Sequence, residues 1–362
     1  CGGLMDKLEI LLKAAPKITR EKNLNNLIEI LSNLAKEIIE VDRCSLFIID
    51  EPKKELYTIF AHGVKEIRIP LTSGIAGHVV KTGKTYVTED AYKSKFFNPE
   101  VDKISGYRTR NILAVPVINS KGKVIGVYQA INKSSKFNSS DIKLMKLIAE
   151  FAGAAIETRM LYEKIKEINK KALIKLSKAA EYKDPESLSH LLRVGLISSL
   201  IAEKLGIDEE KCELLMLAST MHDIGKIGIP DRILQKSGRL EPDEWEIMKK
   251  HPIIGYELLY DEESELLQMA AIIALEHHER WDGKGYPFGK KENEISLWAR
   301  IVSVVDNFDT LTTDKDDRES WSIDKTVSYM EAMKGKAFDP RIVDVFFENI
   351  EKIIEIKEKY KD

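Results

Sequence analysis

The pattern of apolar residues changes once along this chain of 362 residues, and that change restricts the folds that the chain can adopt. Between Ser45 and about Ile131, short segments rich in β-branched residues end at Gly, Pro, Asn or Lys, as strands do. After Asn132 the strand signals largely stop, and apolar residues at helical spacing continue to Ile356. The sequence therefore predicts an α+β chain, with an antiparallel sheet and flanking helices first and an all-α bundle second.

The length of the chain is that of two domains, since domains commonly hold about 100–200 residues. We expect the sheet-containing domain over residues 1–160 and the helical domain over residues 181–362. A long connector helix is predicted over residues 140–180, where helical periodicity continues without a turn signal.

The predicted connector carries a seam of residues at alternating spacings of three and four, which is a heptad pattern. The seam consists of Ile148, Phe151, Ala155, Thr158, Tyr162, Ile165, Asn169, Ala172 and Leu176. Its polar members, Thr158 and Asn169, can set the register of a coiled coil, so we expect a homodimer. The alternative is one long helix that packs only on its own two domains.

Charge and cysteine content limit the partners of the chain. A net charge of −3 and a pI near 6.3 give no broad electrostatic reason to bind a nucleic-acid duplex or an anionic membrane. Three cysteines are too few for a disulfide framework and fit a reducing cytosol. The longest apolar stretches, such as residues 112–118, are too short to span a bilayer. We therefore expect a cytoplasmic protein without a membrane or duplex partner.

Histidines are concentrated in the second half of the chain, close to acidic residues. The five histidines found there are His190, His222, His251, His277 and His278. Asp223 follows one of them directly, and Asp306 ends an apolar helical run. A lone histidine is usually structural, but imidazoles and carboxylates together are ligands for divalent metals. The sequence therefore predicts a metal site in the helical domain.

Two motifs in this half resemble the HD-GYP family of HD-domain phosphohydrolases. Residues 222–226 read His-Asp-Ile-Gly-Lys, and residues 277–287 read His-His-Glu-Arg-Trp-Asp-Gly-Lys-Gly-Tyr-Pro. The resemblance implies an HD-type helical bundle with two or three divalent metal ions. It also implies hydrolysis of cyclic di-GMP to linear pGpG, or further to GMP, by a hydroxide that bridges the metals.

Other functions stay open at this point. The substrate could be a mixed cyclic GMP-AMP dinucleotide, which the motifs do not distinguish from cyclic di-GMP. A catalytically silent receptor for a cyclic dinucleotide is disfavoured by the complete set of matching ligands and by Lys226. A different HD phosphohydrolase is disfavoured by the complete second motif.

The resemblance also implies which residues bind the metals. The matching positions are His190, His222, Asp223, His251, His277, His278 and Asp306. Seven side chains exceed what one ion with open positions can take, and a carboxylate can bridge two ions with its two oxygens. We expect Asp223 to form that bridge. Among the metals, the resemblance favours iron and then manganese.

Glu186 stands where the family usually has a tyrosine, four residues before His190, and members with a glutamate there resemble the group with three metals, so we expect it to bind a third ion. A helix that begins near Pro185 would place both side chains on one face. The alternative is an acid that only decorates the first helical turn, where the helix dipole favours negative charge.

Several further residues match positions of the family that contact the substrate. Lys226 is expected to stabilise negative charge in the transition state. Tyr286 could contact a guanine, or its loop could be only a structural turn. Lys315 and Arg318 could hold the non-scissile phosphate, with an ordinary surface charge as the alternative for Lys315. Asp309 could orient a cation or the substrate, with a helix-surface acid as the alternative.

The first half of the chain, over residues 18–161, resembles a GAF domain. Asn132 and Lys133, followed by Asp141, are similar to a signature of cyclic-nucleotide-binding GAF domains, although Ile142 replaces its glutamate. The resemblance implies a sensor or dimerisation module with an unidentified small-molecule ligand.

Overall fold

The computed structural model describes residues 2–21, 23–58, 67–180, 187–236, 238–314 and 319–361. The chain divides into two compact units, Cys1–Lys166 and Glu167–Asp362, and each is described by itself. The predicted α+β class is confirmed, since the described strands all lie in the first unit and the second is helical.

The first unit contains a six-stranded antiparallel sheet in the order β3-β2-β1-β6-β5-β4, counted over the described residues. The strands are β1 (Val41–Asp50), β2 (Glu55–Thr58), β3 (Ile67–Pro70), β4 (Tyr86–Thr88), β5 (Ile112–Ile118) and β6 (Val124–Lys133). The helices are α1 (Gly2–Arg20), α2 (Leu24–Ile39), α3 (Gly74–Thr82), α4 (Glu100–Ser105) and the start of α5 (Ser139–Ala180).

Both faces of this sheet are covered, because successive strand residues point to opposite sides. Leu46 of β1 packs in a core with Ile28 of α2 and Met145 of α5. Its neighbour Phe47 points the other way, into a smaller core with Val79 of α3.

The residues that resemble a nucleotide-binding signature form buried polar contacts between elements of the first unit. The ammonium of Lys133 is buried, lies 2.7 Å from Oδ1 of Asp141 and donates to the carbonyl of Ile39 at 2.8 Å. Oδ1 of Asn132 accepts a hydrogen bond from the backbone N–H of Arg110 at 2.6 Å. The motif therefore ties β6 to α2 and to the start of α5.

The described part of the second unit has ten further α-helices and no strand. They are α6 (Leu188–Lys204), α7 (Glu209–Ala218), α8 (Asp231–Leu234), α9 (Pro242–Met248), α10 (His251–Leu259), α11 (Glu265–Glu276), α12 (Leu297–Leu311), α13 (Ile323–Met333), α14 (Pro340–Glu348) and α15 (Ile350–Lys359). One apolar core is shared by α6, α7 and α10–α15, with Ile201 of α6, Ile273 of α11, Phe308 of α12 and Phe346 of α14 fully buried.

The predicted connector is a single helix, α5, of 42 residues. At its start Ile148 is buried in the core of the first unit, as the packing alternative expects. Farther along, five large apolar side chains are exposed by 52–63%: Leu161, Tyr162, Ile165, Ile168 and Leu176. No helix in the described ranges is both long enough and apolar enough to cross a lipid bilayer.

Candidate metal centre

The second unit brings the predicted ligands together in two groups. Asp223, His251, His277 and His278 form the first group, and His190, His222 and Asp306 form the second. Within each group the ligand atoms all lie within 4.8 Å of one another. Glu186 lies outside the residues that the structure describes.

Five separate segments of the chain carry these side chains. His190 lies in the first turn of α6, where Ser187 caps the helix by accepting a bond from the N–H of His190. His222 and Asp223 connect two short 3-10 helices, residues 219–221 and 224–228. His251 begins α10, whereas His277 and His278 follow the end of α11, and Asp306 lies within α12.

Gly225 explains how the first motif can approach α10 closely. A Cβ at this position would lie 1.9 Å from the backbone oxygen of His251, so any side chain would collide with the helix backbone. Glycine therefore allows the segment that carries Asp223 to lie directly against the residue that supplies another predicted ligand.

The histidine rings are oriented by hydrogen bonds at Nδ1. The ring nitrogens Nδ1 of His222, His251 and His277 lie 2.8, 2.8 and 3.0 Å from the backbone oxygens of residues 219, 248 and 274. A backbone carbonyl only accepts, so each Nδ1 carries the proton and each Nε2 keeps a lone pair. This is the usual arrangement behind a histidine that binds a metal through Nε2.

The Asp223 carboxylate faces both groups at once. Its Oδ1 lies 3.2 Å from Nε2 of His251 and 3.4 Å from Nε2 of His277. Its Oδ2 lies 3.4 Å from Nε2 of His222, in the other group, and 2.6 Å from the ammonium of Lys226. Each oxygen thus belongs to a different ligand group, which is the geometry that a bridging carboxylate requires.

Divalent ions fit this arrangement. Within the described part of the chain, Nε2 of His251, Nε2 of His277 and Oδ1 of Asp223 are buried yet form no hydrogen bond. Their separations of 3.2 and 3.4 Å are near the about 3 Å expected between adjacent ligand atoms around an ion with bonds of about 2.1 Å. Buried polar atoms without hydrogen bonds are costly unless another group satisfies them, and a cation would satisfy all three.

Burial and nearby charges together favour the metal-binding protonation states of the ligands. Burial lowers the pKa of His277, and together with the charges of His277 and His251 it lowers the pKa of His278 well below the usual value. Neutral imidazoles offer a lone pair at neutral pH. Burial raises the pKa of Asp223, but the charges of Lys226 and His222 outweigh it and hold that pKa well below the usual range.

Asp309 occupies a different position from the predicted substrate contact. Its carboxylate is completely buried behind His190 and accepts a bond from Nδ1 of that ring at 2.9 Å. Arg193 donates to both oxygens at 2.7 and 2.8 Å, and the ammonium of Lys357 lies 3.1 Å from Oδ1. With three partners and no exposed surface, Asp309 is not a helix-surface acid. Its position instead suits a carboxylate that orients His190.

The loop that carries Tyr286 is held against the first ligand group. The Tyr286 ring stacks on the His278 ring, with centroids 4.7 Å apart and planes 24° from parallel. The N–H of Phe288 donates to Oε1 of Glu279 at 2.7 Å. A Cβ at Gly285 would lie 2.4 Å from a backbone atom of the preceding segment, so the tight loop requires glycine there. Tyr286 is consequently half-buried at the rim of the centre.

Two of the predicted substrate contacts lie outside the described residues, and two residues that contribute to the site were not predicted. Lys315 and Arg318 lie outside the described residues. Arg193 and Glu279 contribute to the site but were not predicted. Arg193 stands three residues after His190 on α6, a spacing that places both on one helix face and could have indicated a shared partner. Glu279 lies within the second motif itself.

A family model described as an HD domain matches residues 162–342, which is half of the chain. The chain belongs to the HD domain family. In this HD protein a second family model, described as a GAF domain, matches residues 23–156. The HD match includes every member of both ligand groups, and the GAF match includes the whole six-stranded sheet.

Relatives of the HD protein match it over 52–61% of its length. The cyclic di-GMP phosphodiesterase response regulator RpfG of Xanthomonas campestris is 43% identical over 192 residues, which cover 52% of this chain and 51% of that protein. A cyclic di-GMP phosphodiesterase of Thermotoga maritima is 42% identical over 187 residues, with coverage of 52% and 51%. A 3'3'-cGAMP-specific phosphodiesterase of Vibrio cholerae is 33% identical over 222 residues, with coverage of 61% and 42%. The chain therefore spans about half the length, or less, of these relatives.

Proposed function

We propose that this HD protein hydrolyses a phosphodiester bond of cyclic di-GMP to give linear pGpG, with further cleavage to GMP as a second step. The observation that carries the proposal is the Asp223 carboxylate, which faces both ligand groups and also bonds to Lys226. The names of the two relatives at 42–43% identity support cyclic di-GMP as the substrate.

The residues of the centre have different roles in the proposed hydrolysis. Two ions held by the two groups would activate water and neutralise charge on the phosphoryl oxygens. The histidines and Asp223 fix those positions, because their rings and oxygens are oriented by the bonds described above. Lys226 supplies a further positive charge beside the same carboxylate, where a bound phosphate would gain negative charge in the transition state.

The proposal is tested by product analysis. Protein reconstituted with iron under reducing conditions, or with manganese, is incubated with cyclic di-GMP, and the nucleotides are separated by chromatography. We expect pGpG to appear first and GMP to follow if the second cleavage occurs. Binding of cyclic di-GMP without any product, with either metal, would contradict hydrolysis and favour a silent receptor.

A mixed cyclic GMP-AMP dinucleotide is the second candidate substrate, because one relative at 33% identity is named as specific for 3'3'-cGAMP. Parallel assays with both dinucleotides distinguish the candidates. The larger kcat/KM identifies the preferred substrate.

We propose iron as the first choice of metal and manganese as the second. Imidazole nitrogens and carboxylate oxygens make up both groups, and this mixed donor set suits such divalent ions. Two ions correspond to the two groups. A third ion at Glu186 is proposed from the sequence alone, and fewer metals per chain in Glu186→Gln than in the original protein would support it.

For the GAF domain we propose a regulatory role with an unidentified small-molecule ligand. The described residues form a cavity of about 70 Å³ in this domain, lined in part by Phe47, Asn98, Thr109 and Gln129. Ligand pockets usually measure about 300–1,000 Å³, so this cavity would have to open to admit a nucleotide.

Replacing Lys226 with Ala is expected to lower kcat by about 10²–10³-fold while the metals remain bound. The ammonium bonds to Asp223 but cannot itself bind a metal, so its removal takes away charge near the phosphate without removing a ligand. Metal content and single-turnover rates are measured together. Lys249→Ala, which removes a partly exposed lysine paired with Glu246, serves as the control. An unchanged rate per bound metal in Lys226→Ala would exclude the proposed role.

The exposed apolar side chains of α5 support a homodimer along that helix. Tyr162, Ile165 and Leu176 belong to the predicted seam and are exposed by 57–63%. Light scattering of the whole chain is expected to give twice its mass of 41.2 kDa. Replacing Ile165 with Lys should shift the mass toward the monomer, whereas Lys164→Glu should leave it unchanged. A monomer mass for the original protein would contradict the dimer.

A further inference from the structure

The exposed ring of Trp245 lies close to the metal centre but has no part in the function described so far. Trp245 belongs to the short helix α9, which has no buried residue, and 44% of its surface is exposed. Tryptophan is among the residues most enriched at positions that carry binding energy. An exposed indole at the rim of a proposed active centre is therefore a candidate ligand contact.

Two aromatic contacts connect this ring to the first ligand group. The ring centroids of Trp245 and Tyr286 are 5.9 Å apart, with planes 76° from parallel. Tyr286 in turn stacks on His278 at 4.7 Å. Trp245 is thus one aromatic ring removed from a predicted metal ligand, within the span of a nucleotide whose phosphate lies at the centre.

Of the two aromatic residues, Trp245 offers the larger accessible surface. Tyr286 is half-buried, with the stacked His278 ring against it and a perpendicular contact to Trp245. A perpendicular contact occupies at most one face or one edge of the indole, which leaves another face accessible. Tyr286 is therefore better placed to support Trp245 than to stack on a base itself.

We propose that Trp245 stacks on a purine base of the bound cyclic dinucleotide, with Tyr286 as its support. This inference rests on the proposed function, since only a nucleotide substrate brings a base to the rim. Each base presents a π face, so stacking on an indole adds affinity with little preference between guanine and adenine. Trp245 thus recognises the class of substrate, and the same loss is expected for cyclic di-GMP and for cyclic GMP-AMP when it is removed.

The experiment compares steady-state hydrolysis of cyclic di-GMP with that of methyl 4-nitrophenyl phosphate, a small diester without a nucleobase. The metal-loaded variants are Trp245→Ala, Trp245→Phe and, as a control, Tyr260→Ala, which removes a different exposed aromatic side chain of the same unit. For Trp245→Ala we expect KM for cyclic di-GMP to rise by about tenfold, since one stacked base commonly contributes about 1–3 kcal/mol, or about 5–150-fold. The ratio of kcat/KM for cyclic di-GMP to that for the small diester should fall by the same factor.

The conservative variant and the control distinguish a stacking role of Trp245 from a general effect on the protein. Trp245→Phe, which keeps an aromatic face, should recover most of the lost affinity, and Tyr260→Ala should behave as the original protein. An unchanged KM in Trp245→Ala, or an equal loss on both substrates, would overturn the stacking role while leaving the proposed function intact. Original protein that cleaves the small diester but not cyclic dinucleotides would overturn the proposed substrate and this inference together.

Discussion

Replacing Asp223 with Ala is expected to abolish hydrolysis of cyclic di-GMP and to remove most of the bound metal. The carboxylate is the one described side chain whose two oxygens face different ligand groups, 3.2 Å from His251 on one side and 3.4 Å from His222 on the other. Its loss disconnects the two groups and leaves the first group with histidines alone, without a carboxylate to balance the metal charge. Removal of a single electrostatic group commonly lowers the rate by about 10²–10³-fold, and the loss in Asp223→Ala should be larger.

Metal analysis and product chromatography on the same preparations check this prediction. Asp223→Asn keeps the size of the side chain but removes the charge, and it should resemble Asp223→Ala. The control is Asp282→Asn, which changes an aspartate of the second motif that bonds to Arg280 and belongs to neither ligand group. Full metal content and turnover in Asp223→Ala would show that the bridge is assigned to the wrong residue.

Replacing Arg193 with Ala is expected to lower the free energy of unfolding by about 3–5 kcal/mol and to weaken metal binding about 10–100-fold. Arg193 is buried and donates to both oxygens of Asp309, which orients His190. Without the guanidinium, the buried carboxylate loses its closest partner, and the His190 ring is no longer held in one orientation. Arg193→Lys keeps the charge but not the paired geometry, so its stability and metal affinity should fall between those of Arg193→Ala and the original protein.

The two effects are measured separately, by denaturant unfolding of metal-free protein and by metal titration of folded protein. Arg300→Ala is the control, because Arg300 forms a largely buried ion pair with Asp339 but pairs with none of the predicted ligands. It should lose stability and keep metal affinity. If Arg193→Ala also keeps its metal affinity, the pair with Asp309 is structural only.

The fold class and most of the centre were predictable because the informative signals are local. Strand and helix periodicities need only neighbouring residues, and His222 with Asp223, or His277 with His278, are adjacent in the sequence. The motifs also retain the glycine that close packing demands, as Gly225 does against α10.

Partners that meet only through tertiary packing were not predictable in the same way. Asp309 lies 116 residues from Arg193, and nothing near Asp309 in the sequence indicates that it pairs with a buried guanidinium. The contact between Trp245 and Tyr286 likewise joins helix α9 to a distant loop. In the GAF domain, Lys133 and Asp141 matched a nucleotide-binding signature, yet each satisfies the other inside the fold.

The last helix, α15, is connected to the candidate metal centre through Asp309 and Arg193. Lys357 lies 3.1 Å from Asp309, and the carbonyl of Tyr360 accepts a bond from Arg193 at 2.8 Å. Linkage is reciprocal, so if metal binding at His190 makes this helix more ordered, ordering the helix must strengthen metal binding by the same factor. On that condition, a tag, a truncation or a partner at the end of α15 would change the metal affinity of a site that it does not touch.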